Sequence, residues 1–474
     1  MRRSLLLPFC LLFATPLLAQ IDRYELGLRL RASERRLAAA PAGPPRSAAL
    51  VEFDRAVQAF FRLDLGGVAR ALDAADRALG ADAAPEARFA ASLQLVAARR
   101  LVDTAAGRAA FTLCRAYRDA ADDERGEPSP PDGLTLRVDL VGRDVGWQQT
   151  INTLPFAFEL PLPDLGAGDF TVRWRVCRGD QVLNDRTQGL SLSDELEARL
   201  GKIAAAAGAA AETAPASIES RSLPHLWRTL RTMTKQRGEE TVLPGDHLLA
   251  EAEALATAVA AGTPLHGPAR SGQHWLVAPT TQGNVTLRLL VPEGTTTAEP
   301  RPLVLALHGA GGSENLFFDG YGDGAIVPLC AARGWYLAAP RCGNLGGPDL
   351  PALIDALAAR WPIDTRRVVL VGHSMGAALV VGSASRAPSR FRAVAALGGG
   401  GTLARGAELQ QLPFFVATGS RDFLAAGARS LRDTLERRGV PTTFRDYPDV
   451  EHLTVVQFAL PEVFACFDQA LAKR

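Results

Sequence analysis

Six short apolar runs in the last two fifths of the chain constrain its fold more than any other feature. They are Leu303–Leu307, Trp335–Ala339, Val368–Val371, Ala393–Leu397, Phe414–Ala417 and Thr442–Tyr447, separated by amphipathic stretches of helical period. A strand that is apolar at nearly every position must be covered on both faces. Such runs alternating with helices therefore predict a mostly parallel sheet between two helical layers. His274–Ala278 and Val285–Val291, joined across Gly283-Asn284, add a strand pair in front of them. The predicted fold class over residues 273–474 is α/β, with ligands expected outside the carboxyl ends of the strands.

Three motifs fall at those ends. Gly372-His373-Ser374-Met375-Gly376 directly follows Val368–Val371 and opens the helical stretch Ala377–Ser385. A strained strand-to-helix turn with small flanking residues lifts a serine hydroxyl clear of a sheet, so Ser374 is the expected nucleophile. His308-Gly309-Ala310-Gly311-Gly312 ends an earlier strand. Its glycines let backbone N–H groups approach a reacting carbonyl, so Met375 with Ala310 or Gly309 are the expected oxyanion donors. His308 is expected to brace that loop, and His373 to pack beneath the turn. The third motif is an acid followed by a histidine, Asp422 after one strand and His452 after the next. Taken alone these would be a helix cap and a loop residue; beside the serine they complete a triad, with Asp449 and Glu451 as alternative carboxylates.

Residues 273–474 resemble the α/β-hydrolase superfamily, and within it the compact secreted esterases of the polyhydroxyalkanoate depolymerase, feruloyl esterase and dienelactone hydrolase type. The residues that carry the resemblance are Leu307–Gly312, Ile363-Asp364-Thr365-Arg366-Arg367 and Gly372–Gly376, and the order Ser, Asp, His agrees. Ala377 departs from the second glycine often found there. The resemblance implies a serine carboxylic-ester hydrolase that needs no cofactor. Prolyl-oligopeptidase-like peptidases are also similar, but their propeller would need regular four-stranded repeats, which the N-terminal half lacks.

The rest of the chain is expected to support or recognise. Residues 1–19 read as a secretory signal peptide: Arg2 and Arg3, an apolar stretch Leu5–Leu18, then Ala19 before Gln20. Cys10 lacks the small residues that precede a lipidated cysteine. The mature protein is thus expected to be secreted or periplasmic, with no stable membrane anchor. Residues 20–126 read as helical and 134–192 as a small antiparallel β-sandwich-like module, where Leu134, Leu136, Val138 and Leu140 alternate. Residues 193–264 read as a helical connector. With 52 basic against 51 acidic residues the net charge is +1, so no global field recruits nucleic acid. No His-x-x-x-His or Cys-x-x-Cys pair occurs, so no metal is expected. The five cysteines beyond residue 19 are scattered and are expected to be buried, inert thiols.

A short segment from Leu397 to Pro413, where relatives insert a cap, predicts an open cleft walled by Phe317, Phe318, Asn344 and Leu345. That would suit one end of an esterified polysaccharide or polyester. Two alternatives stand beside the esterase. One is a serine peptidase with the same triad; the other is a non-catalytic binding or scaffold protein carrying a relic hydrolase unit.

Overall fold

The computed structural model describes residues 21–81, 84–118, 129–235, 238–343 and 346–472; the leader expected at 1–19 lies outside them. Four helices come first: Arg23–Ala39, Pro44–Phe61, Leu65–Ala78 and Pro85–Ala91. Asp22 and Asp64 cap two of them by accepting from the Glu25 and Gly67 N–H groups. Between Ala91 and residue 118, where helix was expected, the described residues form strands and the single 3-10 turn Thr104–Ala106. Leu93, Leu95, Ala109, Phe111 and Leu113 occupy alternate positions and enter the core of the next module. A period of two therefore outweighs the helix-favouring composition here.

The strands there are β1 (Leu93–Ala97), β2 (Leu101–Asp103), β3 (Arg108–Arg115), β4 (Leu134–Leu140), β5 (Gly146–Thr150), β6 (Phe156–Pro161), β7 (Gly168–Arg178) and β8 (Gln181–Ser193). They form two sheets, ordered β1-β3-β6 and β2-β8-β7-β4-β5. Leu134, Leu136, Val138 and Trp174 meet Phe111 and Leu113 in a shared core. The β2–β8 pair is parallel, so the module is not wholly antiparallel as expected. Helices Leu196–Thr213, Ile218–Met233 and Gly245–Ala261 follow, and bury Leu223, Leu226, Leu230 and Leu255 with Trp275 of the next strand.

The final sheet has eight strands: β9 (Gly272–Thr280), β10 (Gly283–Val291), β11 (Arg301–Leu307), β12 (Tyr336–Pro340), β13 (Ile363–His373), β14 (Ala393–Leu397), β15 (Phe414–Gly419) and β16 (Thr442–Tyr447). Their order is β9-β10-β12-β11-β13-β14-β15-β16, parallel from β12 onward and antiparallel at β9 and β10. Leu303, Leu305 and Leu307 enter one core cluster while Val304 and Ala306 enter the other, as the strand pleat requires of a sheet covered on both faces. The last helix, Val455–Ala472, is long and apolar enough to cross a membrane. Its Val456, Leu460, Phe464 and Phe467 pack against the sheet, so a core contact accounts for that composition.

The N-terminal helices lie against the carboxyl edge of this sheet rather than standing apart. Arg35 pairs with Asp323 at 3.0 Å, and Arg23 donates to the Gly311 carbonyl at 2.8 Å. Between them, Glu34 is fully buried and accepts the Asp323 N–H at 3.2 Å, while its other oxygen has no partner. Burial raises the Glu34 pKa to about 7, against the Gly322 and Asp323 N–H groups, with the charges of Asp323 and Glu451 adding to the rise. A raised carboxyl pKa means that the folded chain holds the proton more tightly than the unfolded one. The stability it contributes is complete below about pH 4.5 and is lost as pH rises through about 7. Glu34→Gln is expected to flatten the urea midpoint between pH 5 and 8 and to leave the variant about 3 kcal/mol more stable than the native chain at pH 8. The same downward slope in both proteins would contradict this.

Candidate active site

The β13 strand ends at His373 and the helix Met375–Arg386 starts two residues later, so Ser374 alone makes the turn, at φ 56° and ψ −115°. A Cβ on Gly372 would come within 2.2 Å of the Gly376 carbonyl oxygen, and one on Gly376 within 2.0 Å of the Leu307 oxygen. Neither position accepts a side chain, and the tightness of the turn forces the serine outward. Asp422 follows β15 and His452 follows β16, at the same edge.

The structure brings the three together. Ser374 Oγ lies 2.9 Å from His452 Nε2, and His452 Nδ1 lies 2.8 Å from Asp422 Oδ1. The carboxylate also accepts the Leu424 N–H at 2.8 Å and the Thr418 hydroxyl at 3.3 Å. Burial works to raise the Asp422 pKa, but the hydrogen bond and charge of His452 outweigh it and the net direction is down, which keeps the acid ionised. Neither alternative carboxylate reaches the imidazole. Glu451 accepts the Leu453 and Thr454 N–H groups, and Asp449 pairs with Arg421 at 3.6 Å.

Of the expected oxyanion donors, Met375 and Ala310 present N–H groups with no partner among the described residues. Gly309 does not, because its N–H donates to the Tyr321 hydroxyl at 3.1 Å, and this corrects that assignment. His308 takes the Cys342 N–H on Nε2 at 2.9 Å and contacts the Gly309 carbonyl through Nδ1 at 2.7 Å, bracing the loop. His373 does more than pack. Its Nε2 lies 2.8 Å from the His452 carbonyl, which can only accept, so Nε2 carries the proton. Its Nδ1 then accepts from Tyr321, 2.7 Å away. Burial first, and the neighbouring His452 second, push the His373 pKa down to about 3, which keeps it neutral. One relay, Gly309 to Tyr321 to His373 to the His452 backbone, thus joins the oxyanion loop to the imidazole. Tyr321 was legible only as part of the glycine-dense run Gly320–Gly324, where its own φ is 48°.

Two of the four expected walls do not line the cavity. Phe317 is 1% and Phe318 5% exposed, the first packed edge-on against Tyr321 and the second beneath the Arg288 guanidinium. Asn344 and Leu345 lie outside the described residues. The cleft is partly covered: the N-terminal helices lie over a cavity of about 150 Å³ that reaches Ser374 and His452. Leu26, Leu30, Val57, Phe60 and Leu72 line it from above, and Gly309–Gly312 and Tyr321 from below. Phe60 sits so close that a Cβ on Gly311 would meet its ring at 2.5 Å. The helical spacing of Leu26 and Leu30, and of Val57 with Phe60 and Phe61, shows an apolar face but not what covers it.

Glu251, His266 and His274 come together outside this cavity, with one ligand atom each within 4.8 Å of one another, as a metal would need. In the chain as it stands, Glu251 is hydrogen-bonded by His266 at 2.7 Å and by Arg270 at 2.6 Å, so its charge is already balanced. The triad needs no such group to line up.

Residues 303–472 match the sequence model of the alpha/beta hydrolase family. No curated protein matches the chain. Among solved structures, it is similar to a substrate-bound fluorophosphonate-binding serine hydrolase of Staphylococcus aureus, at 17% identity over 41% of this chain and 98% of the other, with a TM-score of 0.36. It is similar to an S-formylglutathione hydrolase from Agrobacterium tumefaciens, at 17% identity over 42% and 95%, TM-score 0.35. A thermostable esterase aligns at 16% identity over 73% and 90%, TM-score 0.38. By its sheet order, its serine turn and the match over residues 303–472, the C-terminal unit is an α/β-hydrolase domain.

Proposed function

We propose that the protein hydrolyses carboxylic esters through an acyl-enzyme on Ser374. One observation carries the reading: the buried, hydrogen-bonded line from Ser374 Oγ to His452 to Asp422, next to two free backbone donors. A serine hydroxyl is a poor nucleophile at its own pKa, so His452 Nε2 takes its proton as Oγ attacks the ester carbonyl. Asp422 holds Nδ1 protonated and stabilises the imidazolium. The N–H groups of Met375 and Ala310 receive the oxyanion, each such donor typically adding roughly 3–4 kcal/mol of transition-state stabilisation. His452 then protonates the departing alcohol, and water releases the acid by the same steps in reverse.

The apolar cavity favours an ester with an apolar group beside the reacting carbon over an extended peptide, which would need backbone hydrogen-bond partners along its length. Export before catalysis is supported by the leader-like residues 1–19. The test is labelling of the intact protein by a fluorophosphonate, which reacts only with an activated serine. Labelling at Ser374, suppressed by competing p-nitrophenyl esters and not by peptide amides, is the expected result. No labelling would return the domain to a binding or scaffold role, and suppression by peptides alone would favour a peptidase.

A further inference from the structure

We infer that the N-terminal helices Arg23–Ala39 and Pro44–Phe61 build an acyl-binding pocket for an apolar acyl group of about six carbons, so that this segment rather than the hydrolase domain sets substrate length. The inference rests on the reading of Ser374 as an ester-cleaving nucleophile, and assigns which half of the ester enters the cavity.

The direction follows from the imidazole. His452 hands its proton to the leaving alcohol, so the alcohol must lie on the His452 side of the reacting carbon. Two rings stand there, Phe423 with its centroid 4.5 Å and Phe61 6.4 Å from that of His452. Both are about half exposed, at 52% and 51%, so the alcohol portion leads outward to solvent. The cavity runs from His452 and the half-exposed Phe61 at its mouth, past the oxyanion loop, to the buried Leu26, Val57 and Leu72, with Leu30 and Phe60 beside them. Arg23 on the cavity wall is engaged by Glu240 at 2.6 Å and the Gly311 carbonyl, which leaves Arg31 as the remaining cation on the lining. The acyl chain is therefore the part that meets the aliphatic and aromatic surface.

Size follows from volume. A cavity of about 150 Å³ with such a lining is the size that accepts a six-carbon ring. Each methylene moved from water into apolar surroundings is worth about fourfold in binding. Four methylenes separate acetyl from hexanoyl, so a gain of at least about tenfold is expected even where the chain fills the cavity only in part.

The experiment measures kcat/KM for p-nitrophenyl acetate, butyrate, hexanoate, octanoate and dodecanoate with the full chain, then with Leu30→Trp and Val57→Phe. The expected profile peaks near hexanoate, at least about tenfold above acetate, and falls by dodecanoate. Each substitution should cut the hexanoate-to-acetate ratio about tenfold or more by filling the cavity. An optimum at acetate, or a ratio unchanged in whichever of the two variants folds, overturns the inference and leaves the ester reading in place. Hydrolysis of no ester in the series removes that reading, and this inference with it.

Discussion

Replacing Ser374 by alanine is expected to lower kcat for p-nitrophenyl esters by about 10⁵- to 10⁶-fold while leaving the fold intact. Removing the nucleophile of a triad costs about as much as removing all three members, because they act as one unit. What remains comes from the Met375 and Ala310 donors and from binding, so the residual rate should exceed that in water. Asp422→Asn should cost less, on the order of 10⁴, since it disturbs the imidazole tautomer without removing the attacking atom. A structural measurement runs alongside. Ser374 holds φ 56°, a conformation that costs a side-chain-bearing residue roughly 1–3 kcal/mol. Ser374→Gly should therefore be as inactive as the alanine variant yet unfold at higher denaturant. A Ser374→Ala enzyme with more than a few per cent of native turnover would remove the covalent mechanism, whatever its stability.

The sequence was most readable where chemistry and local backbone coincide. Gly372–Gly376 can be read because the turn itself excludes side chains at two of its five positions, and β11 to β16 because burial on both faces leaves continuous apolar runs. Asp422 could not be separated from Asp449 and Glu451 by sequence distance, since β15 and β16 must first bring their ends side by side. The acyl-side walls were illegible for a stronger reason. Phe317 and Phe318 lie near the oxyanion loop in sequence but point into the core, whereas Phe60 reaches Gly311 from some 250 positions away. An apolar helix face announces that something covers it, never what. The strands β1 to β3 were hidden similarly, because β6 and β8, which pair with β3 and β2, lie later in the chain.

The roof over the cavity stands on one buried arginine, and its removal is expected to have the largest effect on stability. Arg29, with no exposed side-chain area, pairs with Glu25 at 2.8 Å and with Asp73, and donates to the Ala91 and Leu93 carbonyls at 3.0 and 2.7 Å. Asp73 in turn holds Arg186 of β8 at 2.6 Å and Tyr117 at 2.8 Å, so one cluster ties the first and third helices to the sandwich. Burial pushes the Arg29 pKa down, but Asp73 and Glu25 outweigh it and the net direction is up; the guanidinium stays charged at any pH of interest. Arg29→Met keeps much of the volume and leaves Glu25 and two carbonyls buried without their partner, at an expected cost of about 3–5 kcal/mol. Adding Glu25→Gln should return part of that loss, since it removes the stranded charge. The sheet cores of the hydrolase domain contain none of these groups, so the helices should open first. Denaturation followed by fluorescence should then show hexanoate turnover failing at lower urea than the main transition. A loss below about 1 kcal/mol, or turnover and unfolding that remain coincident, would mean that the helices are held by their apolar contacts alone.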